Sequence, residues 1–144
     1  MTIQNAIVNE PLLQIIPSYA AVLALFFIYL TLRVIKQRKK ARVAIGDGNN
    51  PALKRAIAVH NNFAQYVPFC LLLMTFLELN HTASYLLHGL CITLLASRLI
   101  HAYGVSQEKE NFKIRQIGMI STFFVYIAAS VLIFAQLIYS LVNQ

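Results

Sequence analysis

RVIKQRKKARVAIGDGNNPALKR, residues 33–55, holds eight of the chain's twelve Lys and Arg residues, and RLIHAYGVSQEKENFKIR, residues 98–115, holds the other four. Between and beyond these windows lie Pro11 to Leu32, Ala56 to Leu77, Leu79 to Ser97 and Gln116 to Gln144, all without a cation. Each run is near or above the roughly 18 to 20 apolar residues needed to cross a bilayer. The expected fold is therefore all-α: an integral membrane four-helix bundle in a single domain over 1–144, with helices at about 11–36, 51–78, 83–104 and 113–142. Cytoplasmic loops retain Lys and Arg, so both windows are expected in the cytosol. The N and C termini, with the turn around Glu78 to Ser84, then lie on the non-cytosolic side.

Composition supports the membrane class. The chain is 58% hydrophobic and 12% charged, with a mean hydropathy of +0.63, against about 45 to 50% apolar and 25% charged in soluble domains. Linking segments of about 20 residues leave no room for a separate soluble domain, so any chemistry belongs in or beside the bundle. No basic residue precedes the first apolar run, whereas Arg33, Lys36, Arg38, Lys39, Lys40 and Arg42 follow it. That polarity is the reverse of a cleavable signal and predicts a retained first helix.

The net charge of +7 does not predict a nucleic-acid partner, because the cations border apolar spans and carry no stacking ladder or groove-reading motif. Lys36 to Arg42 is read instead as an orientation signal that also meets anionic lipid headgroups. His60, His81, His88 and His101 lack paired-ligand spacing, so no metal site is expected. Cys70 and Cys91 fall inside spans and read as helix-packing residues. With five acids and none inside a predicted span, neither a Ser-His-acid set nor a proton-coupled exporter is indicated.

The second helix has a clear start. After the turn Gly46-Asp47-Gly48-Asn49, Asn50 is a good N-cap and Pro51 a good first helical residue, since the amide hydrogen that proline lacks has no helical partner there. The loop lacks the spaced glycines and terminal Lys-Ser/Thr of a phosphate cradle. Glu78 to Thr82 reads as a short turn between antiparallel helices, and Gly104 to Asn111 as the link to the fourth.

The functional signal is polar residues entering the spans from the cytosolic end. At about 100° per residue, Asn62 and Tyr66 lie within about 20° of the direction of Arg55, with Gln65 beside them, a stripe about 16 Å long. Arg98 sits about 10 Å inside the end of the third helix, His101 follows one turn later, and Arg115 opens the fourth at the same face. With Lys36 on the first helix, these cations suit a small ligand carrying two or more carboxylates, which guanidinium groups grip through paired hydrogen bonds. Structural roles stay open beside this one. Arg55 and Arg115 can snorkel to headgroups, Arg98 can bond a helix carbonyl or Gln65, and Asn62 and Gln65 can bridge helices.

Arg42-Val43-Ala44-Ile45-Gly46-Asp47-Gly48, followed by Ala56-Ile57-Ala58-Val59-His60-Asn61-Asn62-Phe63-Ala64-Gln65-Tyr66-Val67-Pro68, resembles the signature of the MAPEG family, membrane-associated proteins in eicosanoid and glutathione metabolism. The Gly-Asp-Gly turn is similar to its small bacterial branch, related to the microsomal glutathione transferases. Arg98-Leu99-Ile100-His101 and Arg115-Gln116-Ile117-Gly118-Met119 follow in the family's order, so the resemblance covers roughly Lys36 to Met119.

The resemblance implies a homotrimer in a bacterial inner membrane, glutathione as co-substrate between subunits near the cytosolic face, and a hydrophobic small-molecule substrate arriving through the membrane lipids. It implies glutathione contacts at Lys36, His60, Asn62, Gln65, Tyr66, Arg98 and His101, with Arg115 as the catalytic arginine that stabilises the thiolate. Bringing a thiol from its usual pKa near 8.5 to about 6.5 beside a guanidinium corresponds to about 2.7 kcal/mol of selective stabilisation, and the thiolate then attacks or reduces an electrophile. Three positions depart from the family pattern. Gln65 replaces a glutamate, Ala58 an arginine, and Val105 a tyrosine. Arg55, one turn before Ala58, is placed to supply the missing cation as a further glutathione contact. The alternative function is a non-catalytic glutathione- or lipid-binding membrane protein, a role also found in the family.

Overall fold

Two of the helices begin at an asparagine whose side chain satisfies a first-turn amide hydrogen. The computed structural model describes residues 13–108 and 111–143, which form α1 (Ile15–Ala41), α2 (Pro51–Leu79), α3 (Ser84–Ser106) and α4 (Phe112–Val142), with no strand among them. The Asn50 side chain accepts from the Leu53 amide at 3.0 Å with Pro51 at the first helical position, and Asn111 caps α4 through the Ile114 amide at 3.3 Å. All four helices are long and apolar enough to span a membrane. With 23 to 31 residues, they extend about 35 to 46 Å against a hydrocarbon core of about 30 Å, so their ends reach the headgroup layers.

The helices form a ring in which α1 meets α2, α2 meets α4, α4 meets α3 and α3 meets α1, with α2 and α3 also touching across the middle. Among the described residues α1 and α4 do not meet. The core runs through Leu23, Leu30, Phe63, Met74, Leu94 and Val125. Large apolar side chains also point outward, among them Leu25, Ile120, Ile127 and Phe134. That pattern suits a bundle surrounded by hydrocarbon, where outward Leu and Ile carry no penalty.

One boundary differs by more than a turn from the sequence expectation, and the expected start near Pro11 lies outside the described residues. α1 continues to Ala41, five residues beyond Lys36, because Lys and Arg are good helix formers and their charges favour a helix C-terminus. Arg42 then ends the helix with φ 55°, and the Arg38 guanidinium staples the following loop by donating to the carbonyls of Ala44 and Gly46 at 3.1 and 2.9 Å. Gly46 and Gly48 take φ of +74° and +55°, a left-handed region where a Cβ is unfavourable. A Cβ on Gly48 would also stand 2.4 Å from a Val43 methyl.

The second helix ends at Leu79, close to the expected end at 78, with the Glu78 side chain buried in its last turn. α1 has no side-chain cap of its own, and the Glu78 carboxylate supplies one by accepting from the amides of Gln14, Ile15 and Ile16 at 2.8, 2.6 and 2.9 Å. An anion at a helix N-terminus satisfies otherwise unpaired donors and complements the helix dipole. This cap fixes α1 against α2 at the end of the bundle opposite the basic loops.

Candidate functional site

The polar residues singled out in the sequence fall into two tiers. The inner tier centres on Arg98, whose side chain is 2% exposed. Its Nη1 donates to Asn62 Oδ1 at 2.9 Å, and its Nη2 donates to the Gly118 carbonyl at 3.1 Å and to the Thr122 hydroxyl. The Ser97 hydroxyl joins the network, 3.0 Å from that of Thr122. One guanidinium thus ties α2, α3 and α4 together through neutral acceptors. The space bounded by Asn62, Phe63, Arg98 and His101 is too tight for a water molecule. Of the structural partners open to Arg98 from sequence, the helix carbonyl is the one found, together with Asn62; Gln65 is not bonded to it.

Close approach of α3 and α4 makes this tier possible. A Cβ on Gly118 would lie 2.7 Å from His101 Cβ and 2.8 Å from both the His101 nitrogen and the Ser97 carbonyl oxygen. A Cβ on Gly104 would lie 2.9 Å from the Arg115 nitrogen. Small residues let two membrane helices bring their backbones together, and here they bring the Gly118 carbonyl within reach of Arg98. His101, 4% exposed, spans the same seam by donating from Nδ1 to the Arg115 carbonyl at 3.3 Å.

The outer tier lines the end of the bundle that carries the basic loops. Lys36 and Arg115 are exposed and Arg55 is half-buried one turn into α2. Asn62, which meets Arg98, lies about 10 Å deeper along α2 than Arg55. The three guanidinium groups therefore do not share one depth, since Arg98 sits beneath the other two. Asn62 is held on its other side by a 3.6 Å contact from Nδ2 to Met119 Sδ. The Tyr66 ring lies 6.0 Å from the Arg98 guanidinium carbon and packs edge-on against Phe123 and Tyr126 of α4.

His60 is not brought to these residues. It stacks on Phe27 of α1 with ring centroids 4.7 Å apart, consistent with a position about 200° around α2 from Asn62. Asn61 and Gln65 are exposed near the middle of α2, and Ala58 is exposed one turn before Asn61 and Asn62. Val105 is buried at 7%. Cys70 and Cys91 are buried free thiols at 1% and 0% exposure, with Cys91 Sγ 3.9 Å from Met74 Sδ.

Sequence reading missed Ser97, Thr122, Gly104 and Gly118. Gly118 stood in a quoted motif, and its spacing of three from Arg115 and four from Thr122 was the available signal. It also missed Arg33 as an inter-helix contact, since it lay among so many cations.

Comparison with known proteins agrees with the fold. The model of the MAPEG family matches residues 16–135. The chain is 38% identical over 104 residues to the inner membrane protein YecN of Escherichia coli K12, covering 72% of this chain and 78% of that protein. The same identity and coverage hold for YecN of Escherichia coli O6:H1.

Proposed function

Since the chain belongs to the MAPEG family, we propose that it is a glutathione-dependent membrane enzyme, which conjugates or reduces hydrophobic electrophiles with an arginine-stabilised glutathione thiolate. It is a multi-pass bacterial inner-membrane protein. In this reading the basic loops lie in the cytosol and three copies assemble, with glutathione between neighbours.

The observation that carries the reading is the divided polar face of α2. Gln65 and Asn61 are exposed at mid-helix, where hydrocarbon contact is unfavourable, so another copy or a polar ligand must cover them. His60 faces α1 while Asn62 and Tyr66 face α3 and α4. One ligand touches both sets only by lying between two copies, each offering a different face.

Arg115, exposed at the start of α4, is the thiolate-stabilising group. Lys36 and Arg55 supply cations for the tripeptide's carboxylates. Asn62, Gln65, Tyr66 and His101 supply further polar contacts, and Arg98 acts from behind as a positioning residue that fixes Asn62. Exposed Ala58 and buried Val105, which bring no polar group where the family has Arg and Tyr, favour the second reading, a non-catalytic binder of glutathione.

Titration of the detergent-purified protein with glutathione, following thiolate absorbance and conjugation of a hydrophobic electrophile, separates these readings. Wild type should show thiolate and turnover. Arg115→Ala should still bind glutathione with turnover down about a hundredfold, as removal of about 2.7 kcal/mol of thiolate stabilisation requires. Binding without thiolate or conjugation in wild type would establish the binder, and absence of binding would reject both readings.

A further inference from the structure

A second polar feature lies outside this site. Between α1 and α3, near the basic-loop end, a cleft of about 360 Å³ is lined by Phe26, Tyr29, Arg33, Leu99, Tyr103 and Ser106, among others. Arg33 Nη1 donates to the Ser106 hydroxyl at 2.9 Å, and Ser106 donates to the Ala102 carbonyl at 2.5 Å. The guanidinium carbon stands 6.0 Å from the centre of the Tyr29 ring. Arg33 is thus held in one pose, and among the described residues no carboxylate pairs with it.

We propose that this cleft binds the phosphate headgroup of an anionic phospholipid in the leaflet facing the basic loops. Arg33 is the first cation after the apolar run that ends at Leu32, which places it at the boundary between hydrocarbon and headgroups. One of its amino groups is occupied by Ser106, leaving Nη2 and Nε to address a phosphate through paired bonds. Tyr29 and Tyr103 are 55% and 60% exposed at the rim, the belt position where a ring meets acyl chain and a hydroxyl meets headgroup.

The surroundings select a lipid rather than a soluble anion. Phe26 and Leu99 make an apolar floor, and the exposed neighbours Leu25, Ile28, Leu32 and Ile100 are apolar as well. A ligand here meets hydrocarbon on one side and a cation on the other, so it needs both an acyl chain and an anionic head. The cleft uses α1 and α3, away from the α2 face of the proposed glutathione site, and does not depend on that reading.

Native mass spectrometry of the purified protein with phosphatidylglycerol, phosphatidylcholine, a free fatty acid or inorganic phosphate tests the assignment. Wild type should retain phosphatidylglycerol in preference to the other three. Arg33→Gln should weaken that retention about tenfold or more, as loss of a charged hydrogen-bond partner implies. Lys54→Gln, which removes the same charge from an exposed position on α2 outside the cleft, should leave it unchanged. Leu99→Trp fills the floor without altering charge and should displace the lipid, with an unchanged thermal midpoint in detergent as a check on folding. Equal losses in Arg33→Gln and Lys54→Gln would reduce the effect to diffuse attraction and overturn the proposal. Retention unaffected by Leu99→Trp, or equal retention of fatty acid or inorganic phosphate, would overturn it as well.

Discussion

At the scale of single residues, Arg98 is a cation held away from solvent, at 2% exposure. Its hydrogen bonds reach Asn62, Gly118 and Thr122, and none of these partners is charged. A buried cation kept by neutral acceptors alone carries a desolvation cost, offset only while every bond is made. Arg98→Lys cannot reproduce the fork, because an ammonium reaches one or two of these acceptors and leaves Asn62 unsupported. We expect this variant to lower stability by about 2 kcal/mol or more, read from thermal unfolding in detergent, while Lys36→Ala, at an exposed position, changes it by less than about 0.5 kcal/mol. Full stability with lost glutathione affinity in Arg98→Lys would instead make Arg98 a direct ligand contact.

At the scale of elements, the α3–α4 seam controls where the fourth helix presents Arg115. Gly118→Ala would drive a methyl into the His101 and Ser97 backbones, and backbone atoms cannot rotate aside. The helices would have to separate, stretching the Arg98 bond to the Gly118 carbonyl. The expected cost is about 1 to 3 kcal/mol. Gly89→Ala in the same helix pair is the control, because nothing lies within 4 Å of its added carbon. A thermal midpoint that falls for Gly118→Ala but not for Gly89→Ala would support the seam, and equal midpoints would refute it. The helix starts at Asn50 and Pro51 were legible because a cap is made by residues three apart in sequence. Glu78 was legible only as a polar residue near a turn, because its partners at Gln14 to Ile16 lie more than 60 positions away.

At the scale of the whole molecule, the two basic loops predict a cytosolic position for themselves, and cysteine labelling checks it. Cys70 and Cys91 are buried, so background labelling should be low. Ile45→Cys, at a loop position 91% exposed, should react with an impermeant maleimide only after spheroplasts are lysed, whereas Asn80→Cys should react in intact ones. The opposite pattern would invert the bundle. By itself the sequence determined the number of apolar helices, the positions of the basic loops along the chain and the start of α2, because length, hydropathy and an adjacent cap act within a helix or its ends. It also placed Arg55, Asn62 and Tyr66 on one face of α2, since helical period is local. Only the tertiary structure decided that Arg98 lies inward beneath Arg115, that His60 turns to α1 while Asn62 turns to α3, and that Arg33 reaches Ser106. Each of those outcomes depends on how one helix is rotated and how closely it crosses its neighbour. Close-packed side chains and glycines far apart in sequence set both.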